Sequence, residues 1–473
     1  MLKADILLHS ASFQPYFSEP FLQMYIYKNV FLLIFDELQK SNVHQIPMVI
    51  TTIILNFAVS NILILIFMKT KFYPILLCAA LCACGGGNAK QQASATDEKV
   101  TEEKTAVQYP IHIPFEEGME VEREVKLSEI ADSVIYIRLE TTDEGLVRGF
   151  QPSLMRCTSK YFIFGEFQNV IQFTRDGKFV RNIGRRGQGP GEYNYILQVD
   201  VDEKAGKVYV LSTGRRFNVY DLETGKYLQS VKLPNWRTSS FLMQNDSTIV
   251  SYIDNGYGQE KTKATISTLN GNILHEYPRH ELFEVKGGSY SFGGPHDFFL
   301  SKYKGMINLK EYENDTVYTI TPEGLQKRYI IDTGKYGIKL EHTYPALNGD
   351  EAAYNRLAAG YMRYAVLETE NYLFLPYANW AGSERNRPKM AMYDKRTGEC
   401  YRVKGNAVSD DLTNALYFYY PHCALDEHTL IFNHQASVIH KMAEKKPELM
   451  NHPQLKGLKE DDNPVLMIVH LKR

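Results

Sequence analysis

Three histidines and one aspartate are the residues whose types could support metal binding or proton transfer. They are His296, Asp297, His422 and His434. Imidazole and carboxylate groups that converge on one site can bind a divalent metal, or act as acid and base in a hydrolase or lyase. A polar, water-filled funnel uses the same residue types. We therefore treat the four as candidate ligand-binding residues, and we predict no catalytic residue, no metal and no cofactor.

Aromatic and basic side chains form a second group of candidates. The ring of Trp380, together with that of Trp236, could stack on a sugar, although aromatic packing between strands is the alternative. The other candidates of this group are Tyr361, Arg363, Asn379, Arg385 and Arg387.

A glycine-rich segment at 184–191 carries two further candidates, Arg185 and Arg186. A phosphate-binding loop would need Gly-Lys-Ser/Thr leading into a helix, and a dinucleotide-binding loop also needs a helix start. Neither follows here. The segment instead predicts a connector between strands whose glycines adopt positive φ angles. Its two arginines could still face an anionic ligand.

The elements that must position these residues are strands, because one turn motif recurs along the chain. In each copy an extended run ends in a polar turn with a glycine, and a second extended run follows. The glycines are Gly177, Gly225, Gly271, Gly324 and Gly398. The first four are about 50 residues apart, close to the length of one four-stranded propeller blade. The sequence predicts an all-β fold, a six-bladed β-propeller of four-stranded antiparallel blades.

Ring closure and two helical segments complete the predicted architecture. The strand near Val134 and the final strand near Leu466 are expected to share the closing blade, because an open ring would expose sheet edges. A helical insertion is predicted near 345–360 and a helical segment near 436–450. Loops at one end of a propeller's central channel gather residues from every blade. We therefore expect the candidate residues to meet on the channel face.

The N-terminal part of the chain predicts export and a lipid anchor. Residues 68–83 combine a basic start, a short apolar run and small residues, which is typical of a signal peptide. The residues that end at Cys84 are similar to a lipobox, so Cys84 is the predicted lipidation site and the membrane a predicted partner. Residues 84–110 are small and polar and predict a flexible tether that leads to a propeller at 119–472.

Residues 1–67 include an apolar stretch at 48–67 that is long enough to cross a membrane. Either this stretch is a transmembrane anchor, or Met68 is the true start and residues 1–67 are a spurious leader. We favour the second interpretation, because a complete signal sequence begins at Met68. The predicted location is the cell envelope, as an outer-membrane lipoprotein whose orientation, periplasmic or surface-exposed, stays open.

Composition excludes one class of partner. The net charge is −2, so no basic face for nucleic acid is expected. After Cys84 the cysteines are Cys157, Cys400 and Cys423, whose wide spacing matches neither a disulfide framework nor a zinc pattern. A disulfide between Cys400 and Cys423 and buried free thiols both remain open.

Several short segments resemble a known family. They are Leu139-Glu140-Thr141-Thr142, Asp176-Gly177-Lys178-Phe179, Asn463-Pro464-Val465-Leu466 and Gly184-Arg185-Arg186-Gly187-Gln188-Gly189-Pro190-Gly191-Glu192-Tyr193. Through them, and over roughly residues 119–472, the chain resembles the six-bladed, NHL-repeat-like and TolB-like propeller lipoproteins of Gram-negative gut bacteria. It departs from NHL repeats in having Tyr193 where they usually have Phe. The resemblance implies the fold and no common activity.

Three functions follow as hypotheses. The main prediction is a binding module whose channel face recognises a glycan, a peptide or a partner protein. A channel-face hydrolase or lyase, metal-assisted or not, would need His296, His422 and His434 close together. If the ligand of the binding module is a glycan, Trp380 should be exposed next to polar residues. A scaffold for an envelope assembly would show a broad apolar patch on a rim.

Overall fold

The computed structural model describes residues 108–148, 154–166, 168–213, 216–285, 300–343, 348–380 and 389–473. These residues form an all-β, six-bladed propeller of four-stranded antiparallel sheets, which confirms the predicted fold. The predicted signal peptide, Cys84 and the predicted tether up to residue 107 lie outside the described residues. The same holds for four candidate site residues: His296, Asp297, Arg385 and Arg387.

Three strands and two short helices precede the first blade. They are β1 (Ile111–Ile113), α1 (Phe115–Gly118), β2 (Glu122–Arg123), α2 (Leu127–Ile130) and β3 (Ala131–Arg138).

Blades one to three follow in chain order. Blade one contains β4 (Met155–Cys157), β5 (Tyr161–Gly165), β6 (Val170–Thr174) and β7 (Phe179–Asn182). A connector contributes the small pair β8 (Arg185–Arg186) and β9 (Glu192–Tyr193). Blade two contains β10 (Ile196–Asp202), β11 (Lys207–Ser212), β12 (Arg216–Asp221) and β13 (Tyr227–Val231). Blade three contains β14 (Thr238–Met243), β15 (Thr248–Ile253), β16 (Thr262–Thr268) and β17 (Ile273–Pro278).

Blades four to six complete the ring. Blade four contains β18 (Leu300–Tyr303), β19 (Met306–Lys310), β20 (Thr316–Thr321) and β21 (Gly324–Ile331). The inner strand of blade five is split into β22 (Met362–Tyr364) and β23 (Leu367–Glu368), and β24 (Tyr372–Asn379), β25 (Lys389–Asp394) and β26 (Glu399–Val403) follow. Blade six contains β27 (Cys423–Asp426), β28 (Thr429–His434), β29 (Val465–Leu471) and β3.

The ring closes through blade six, as predicted. Strand β29 pairs antiparallel with β3, from Val465 opposite Arg138 to Leu471 opposite Ala131. The first and last parts of the propeller therefore lie in one sheet. Strands β1 and β2 pair in parallel with the outer strands β21 and β26, so they cover the outer edges of blades four and five.

The two predicted helical segments are confirmed. Helix α3 spans Glu351–Ala358, and the side chain of Asp350 caps it by accepting a hydrogen bond from the Ala353 amide at 2.9 Å. Helix α4 spans Ala436–Ala443, and a short 3-10 helix at Pro447–Asn451 follows it. Within the described ranges, no helix has the length and apolar character needed to cross a bilayer.

Burial between blades explains why the middle strands read as nearly continuous apolar runs. In β11 and β15 all residues after the first are buried, because each blade packs on a neighbour through both faces. The rings of Phe217 in blade two and Phe241 in blade three meet edge to face, with centroids 4.6 Å apart.

The turn glycines that repeat in the sequence join the third and fourth strands of their blades. Gly177 has φ +86°, and a Cβ atom there would lie 2.0 Å from the carbonyl oxygen of Arg138. A side chain at this position is therefore excluded by both backbone conformation and space. Because the turn requires glycine at this position, the repeat can be recognised in the sequence.

Candidate functional site

A cavity of about 350 Å³ lies in the central channel, and all six blades contribute to its wall. The lining residues come from the inner strand of each blade or from the turn that follows it. From blade one to blade six they are residues 155–157, Asp200 and Val201, Leu242, residues 300–305, residues 366–368, and residues 423–427.

The cavity lies towards the end of the channel at which the inner strands finish. Asp200 and Val201 are near the end of β10, and Lys304 and Glu427 follow the last residues of β18 and β27. The inner strands of a closed propeller all run in the same direction, so their last residues gather at one end. The turns from the first to the second strand of each blade therefore border the cavity.

Asp200 is the most deeply buried charged residue of the cavity wall, with 2% of its surface exposed. Its carboxylate lies 3.0 Å from Nε of Arg156 and 3.0 Å from Nζ of Lys302, and it accepts a hydrogen bond from the Met243 amide at 2.8 Å. Burial by itself would raise the pKa of Asp200, but Lys302 and Arg156 outweigh it and hold the pKa below its ordinary value. The carboxylate of Asp200 in blade two thereby joins its inner strand to those of blades one, three and four.

Glu368 is the second buried carboxylate of the wall. It accepts hydrogen bonds from Nε and Nη2 of Arg328 at 2.8 and 2.7 Å, from the Tyr329 hydroxyl at 2.6 Å and from Nζ of Lys395 at 2.7 Å. Burial again opposes ionisation, but Arg328 and Lys395 lower the pKa of Glu368 below its usual range. Blade four and blade five are therefore joined by a buried, charged network.

Charged groups that remain partly exposed also border the cavity. The side chains of Lys302 and Lys304 are 40% and 47% exposed, and Nζ of Lys304 lies 2.5 Å from the carboxylate of Glu370. On the blade six side, Asp426 is exposed and Glu427 is half-buried. Ammonium and carboxylate groups are thus available at the same cavity.

Sulfur-containing side chains line the cavity where blades one and six meet. Met155, Cys157 and Cys423 all line the cavity, and Sγ of Cys423 lies 3.8 Å from Sδ of Met155. Cys157, Cys400 and Cys423 are free thiols, so the alternative of a disulfide between Cys400 and Cys423 is wrong. The Cys423 thiol donates to Met155, and the thiol that interacts with it is that of Cys157, not that of Cys400.

Arg185 and Arg186 lie on the connector between blades one and two. The glycines around them have positive φ angles, with +68° at both Gly184 and Gly191, as the sequence predicted for a connector. Arg185 is 82% exposed and forms an ion pair with Glu192 at 2.7 Å. Its role in binding an anion stays a prediction.

Trp380 is buried by aromatic packing, the alternative stated for it, and it does not form an exposed stacking surface. The residue is 8% exposed and packs with Tyr312, Ile338 and Ala358, while its indole N–H donates to the Tyr354 hydroxyl. The aromatic side chains of the insertion around α3 bury the indole, so a sugar ring has no access to it.

Three further candidates are close to Trp380 in the chain. Tyr361 stacks on His342 with ring centroids 4.8 Å apart. Arg363 pairs with Ala378 in the β22–β24 ladder, and Asn379 pairs with Met362. Tyr361 and Asn379 are not among the residues that line the cavity described above. Their part in ligand binding stays a prediction.

His422 and His434 are core residues of blade six. They are 5% and 2% exposed, and their rings pack on Phe432 with centroid distances of 4.4 and 4.7 Å. Burial lowers the pKa of His434 to about 3, although a backbone hydrogen bond at Tyr417 acts in the opposite direction. The expectation that both imidazoles face the channel is therefore wrong. Within the described part of the chain, no group of three His, Cys, Asp or Glu side chains could hold a metal.

The charged residues of the cavity wall were missed among the sequence candidates, although one signal was present. Asp200 lies between Val199 and Val201 in a strand that is otherwise largely apolar. A charged residue inside an apolar strand needs a buried partner, and it therefore marks a structural or functional network. Among the described candidates, Tyr361 and His422 precede inner strands, and Asn379 and His434 end second strands, so these four lie at the opposite end of the channel.

Fold and cavity together define an all-β propeller with a polar site in its central channel. The family model for the Domain of unknown function (DUF4934) matches residues 110–470. The chain therefore belongs to the DUF4934 family.

Solved structures extend the comparison. A structure from Bacteroides fragilis, described as an exported protein, is 18% identical with a TM-score of 0.58, and the match covers 76% of this chain and 100% of that one. A Bacteroides thetaiotaomicron protein of unknown function is 11% identical with a TM-score of 0.36, over 71% of this chain and 75% of that one. No match is found among curated proteins. The first likeness supports the propeller fold.

Proposed function

We propose that this protein is a cell-envelope binding module that receives a short peptide, or a peptide segment of a partner protein, in its central cavity. The composition of the cavity wall carries this proposal. Partly exposed ammonium groups of Lys302 and Lys304 lie at the same cavity as the carboxylates of Asp426 and Glu427. Apolar side chains such as Leu300 complete the wall. Groups of both charges next to apolar surface match the chemistry of a peptide.

The size of the cavity supports a small ligand. Its volume of about 350 Å³ is at the lower end of the range typical of small-molecule sites. A peptide of two or three residues, or the end of a longer one, would occupy a space of this order. A folded partner would have to insert a terminus or an extended loop.

The wall favours a peptide over a glycan. Sugar recognition uses exposed aromatic faces, and among the described lining residues the aromatic one is Tyr303, which is 8% exposed. Of the two sequence candidates for a sugar platform, Trp380 is buried elsewhere, and Trp236 is exposed but is not among the residues that line the cavity. A glycan is therefore the second candidate, to be tested in the same experiment.

The buried networks would hold the site in a fixed shape before ligand arrives. Asp200 connects the inner strands of four blades and Glu368 connects blades four and five, so the backbone around the cavity is cross-linked by charge-assisted hydrogen bonds. A preformed site loses less conformational entropy on binding. Lys302 acts in both roles, because it pairs with Asp200 and is still 40% exposed.

The lipid anchor at Cys84 and the finer NHL-like and TolB-like assignment are part of the same proposal. The lipobox-like residues before Cys84 and the exported neighbour from Bacteroides fragilis support an envelope location. Labelling of cells with a radioactive fatty acid tests the anchor. We expect the label in the native chain and its loss in Cys84→Ala, whereas Met68→Ala should abolish the product if translation starts at Met68.

A binding screen tests the central proposal. Isothermal titration calorimetry compares di- to tetrapeptides with oligosaccharides on the full-length protein. We expect a peptide to bind, and Lys304→Gln or Glu427→Gln to weaken it about tenfold, the loss of about 1.4 kcal/mol. Higher salt should weaken binding as well.

Lys226→Gln is the matched control, because Lys226 is exposed on a turn of blade two. It should leave the affinity for the peptide unchanged. Binding of oligosaccharides alone, or equal loss of peptide affinity in the control and the cavity variants, would contradict the proposal.

A further inference from the structure

Three sulfur-containing side chains meet in the cavity wall between the first and the last blade. Met155 and Cys157 are two positions apart on β4, so they share one face of the strand. Cys423 is the first residue of β27, in blade six. Its thiol donates to Sδ of Met155 at 3.8 Å, and it interacts with the neighbouring Cys157 thiol. All three residues line the cavity, and both cysteines are partly exposed there.

The separation of the sulfur atoms fits a shared ion. Metal–sulfur bonds are about 2.3 Å long, so two sulfur ligands at an angle between tetrahedral and trigonal lie roughly 3.8 to 4.0 Å apart. The Met155 and Cys423 sulfurs are separated by 3.8 Å. Thiolate and thioether donors are soft ligands that select a soft, low-coordinate ion.

The surrounding charges favour a monovalent ion. The guanidinium groups of Arg156 and Arg175 both interact electrostatically with Cys157 and Cys423. Two thiolates with one monovalent cation carry a net charge of −1, which the arginines stabilise. A divalent cation would make the group neutral and gain nothing from them.

We propose that Met155, Cys157 and Cys423 form a binding site for a soft monovalent cation such as Cu(I). Binding forms two metal–thiolate bonds and one metal–thioether bond, and the two thiol protons pass to solvent. No electron is transferred. The site does not depend on the peptide proposal, because its ligands are the three sulfur atoms alone.

Metal titration of the full-length protein tests the site. Every sample carries serine at Cys78, Cys82 and Cys84, so that the N-terminal thiols do not bind metal. The protein is reduced, freed of reductant without oxygen, and titrated with Ag(I), a redox-silent probe, and with Cu(I) against a chromophoric chelator. We expect one ion per chain by native mass spectrometry, with release of protons.

Four variants separate the site from other thiol chemistry. Cys157→Ser or Cys423→Ser should lower the affinity more than about 100-fold, and Met155→Leu about tenfold. Cys400→Ser is the matched control, because Cys400 is a buried free thiol of blade five, and it should leave the affinity unchanged. Met155→Leu conserves side-chain volume, so it keeps the test available if a serine variant fails to fold.

Two results would overturn the proposal. One is metal binding whose affinity and stoichiometry are unchanged by Cys423→Ser and by Met155→Leu. The other is a disulfide between Cys157 and Cys423 in the isolated protein, detected by peptide mapping before reduction, since the thiols would then serve as a covalent link between blades.

Discussion

Two groups of polar side chains at opposite ends of the propeller are buried in different ways. At the cavity end, Asp200 and Glu368 are ionised and surrounded by cations from neighbouring blades. At the opposite end, His434 and Trp380 are neutral and packed on aromatic rings. A buried charge is tolerated only with partners, and strand ends from several blades supply those partners at the cavity end. The cavity therefore keeps a charged wall, whereas His434 and Trp380 contribute packing at the other end. That other end also holds a buried charged group between blades three and four, in which Lys263 and Arg279 pair with Glu311.

The repeated turn contributes to this difference, because it carries a cation to the cavity end. In blade one, Nη1 of Arg175 donates to the carbonyl oxygen of Thr158 at 3.0 Å. In blade five, Nζ of Lys395 donates to the carbonyl oxygen of Thr369 at 2.6 Å and to the carboxylate of Glu368. Both threonines follow an inner strand. The same turn position thus supplies a donor to the end of an inner strand in two blades.

The largest expected effect is at the buried network of blades four and five. Glu368→Ala removes the carboxylate and leaves Arg328 and Lys395 buried without it, and their side chains are 5% and 16% exposed. We expect the free energy of unfolding to fall by about 3–5 kcal/mol, which is typical when one partner of a buried ion pair is removed. Chemical denaturation at neutral pH measures it.

Glu399→Ala is the matched control, because Glu399 is an exposed glutamate on β26 of blade five. It should change the free energy of unfolding by less than about 0.5 kcal/mol. A loss below about 1 kcal/mol in Glu368→Ala would mean that the charged network does not stabilise the cavity end.

A smaller, pH-dependent effect is expected at the opposite end. The pKa of His434 is about 3 in the folded protein because of burial, whereas an unfolded histidine has a pKa near 6.5. Below pH 6.5 the unfolded chain binds a proton that the folded chain does not, so folding becomes less favourable as the pH falls. Between pH 7 and pH 5 this proton uptake lowers the free energy of unfolding by about 2 kcal/mol.

His434→Gln should remove this part of the pH dependence, measured by denaturation at both pH values. His280→Gln, at an exposed histidine, should retain it. An unchanged pH dependence in His434→Gln would show that His434 takes up a proton in the folded state, and the contrast between the two ends would fail.

The fold could be predicted from sequence because local requirements recur in every blade. Gly177 is fixed by its positive φ angle and by the nearby Arg138 carbonyl, and such turns set the period. The closing pair of β3 and β29 followed from the need to cover sheet edges.

The site was harder to predict, because its contacts join residues that are distant in the chain. Glu368 and Arg328, or Cys157 and Cys423, meet only after the ring has formed, and nothing in their spacing shows it. All inner strands run towards the cavity, so residues that precede them lie at the far end of the channel. His422 precedes an inner strand and His434 ends the second strand of the same blade, so both are placed away from the cavity.

The smallest effect is expected on the exposed connector. Arg185→Ala breaks an ion pair with Glu192 in which the arginine is 82% exposed, and solvent screens such pairs strongly. We expect no measurable change in the free energy of unfolding and no change in peptide affinity, by denaturation and calorimetry respectively. A clear loss of affinity for an anionic ligand in Arg185→Ala, with stability retained, would place a second binding surface on the connector. Ligand binding would then involve the connector as well as the cavity.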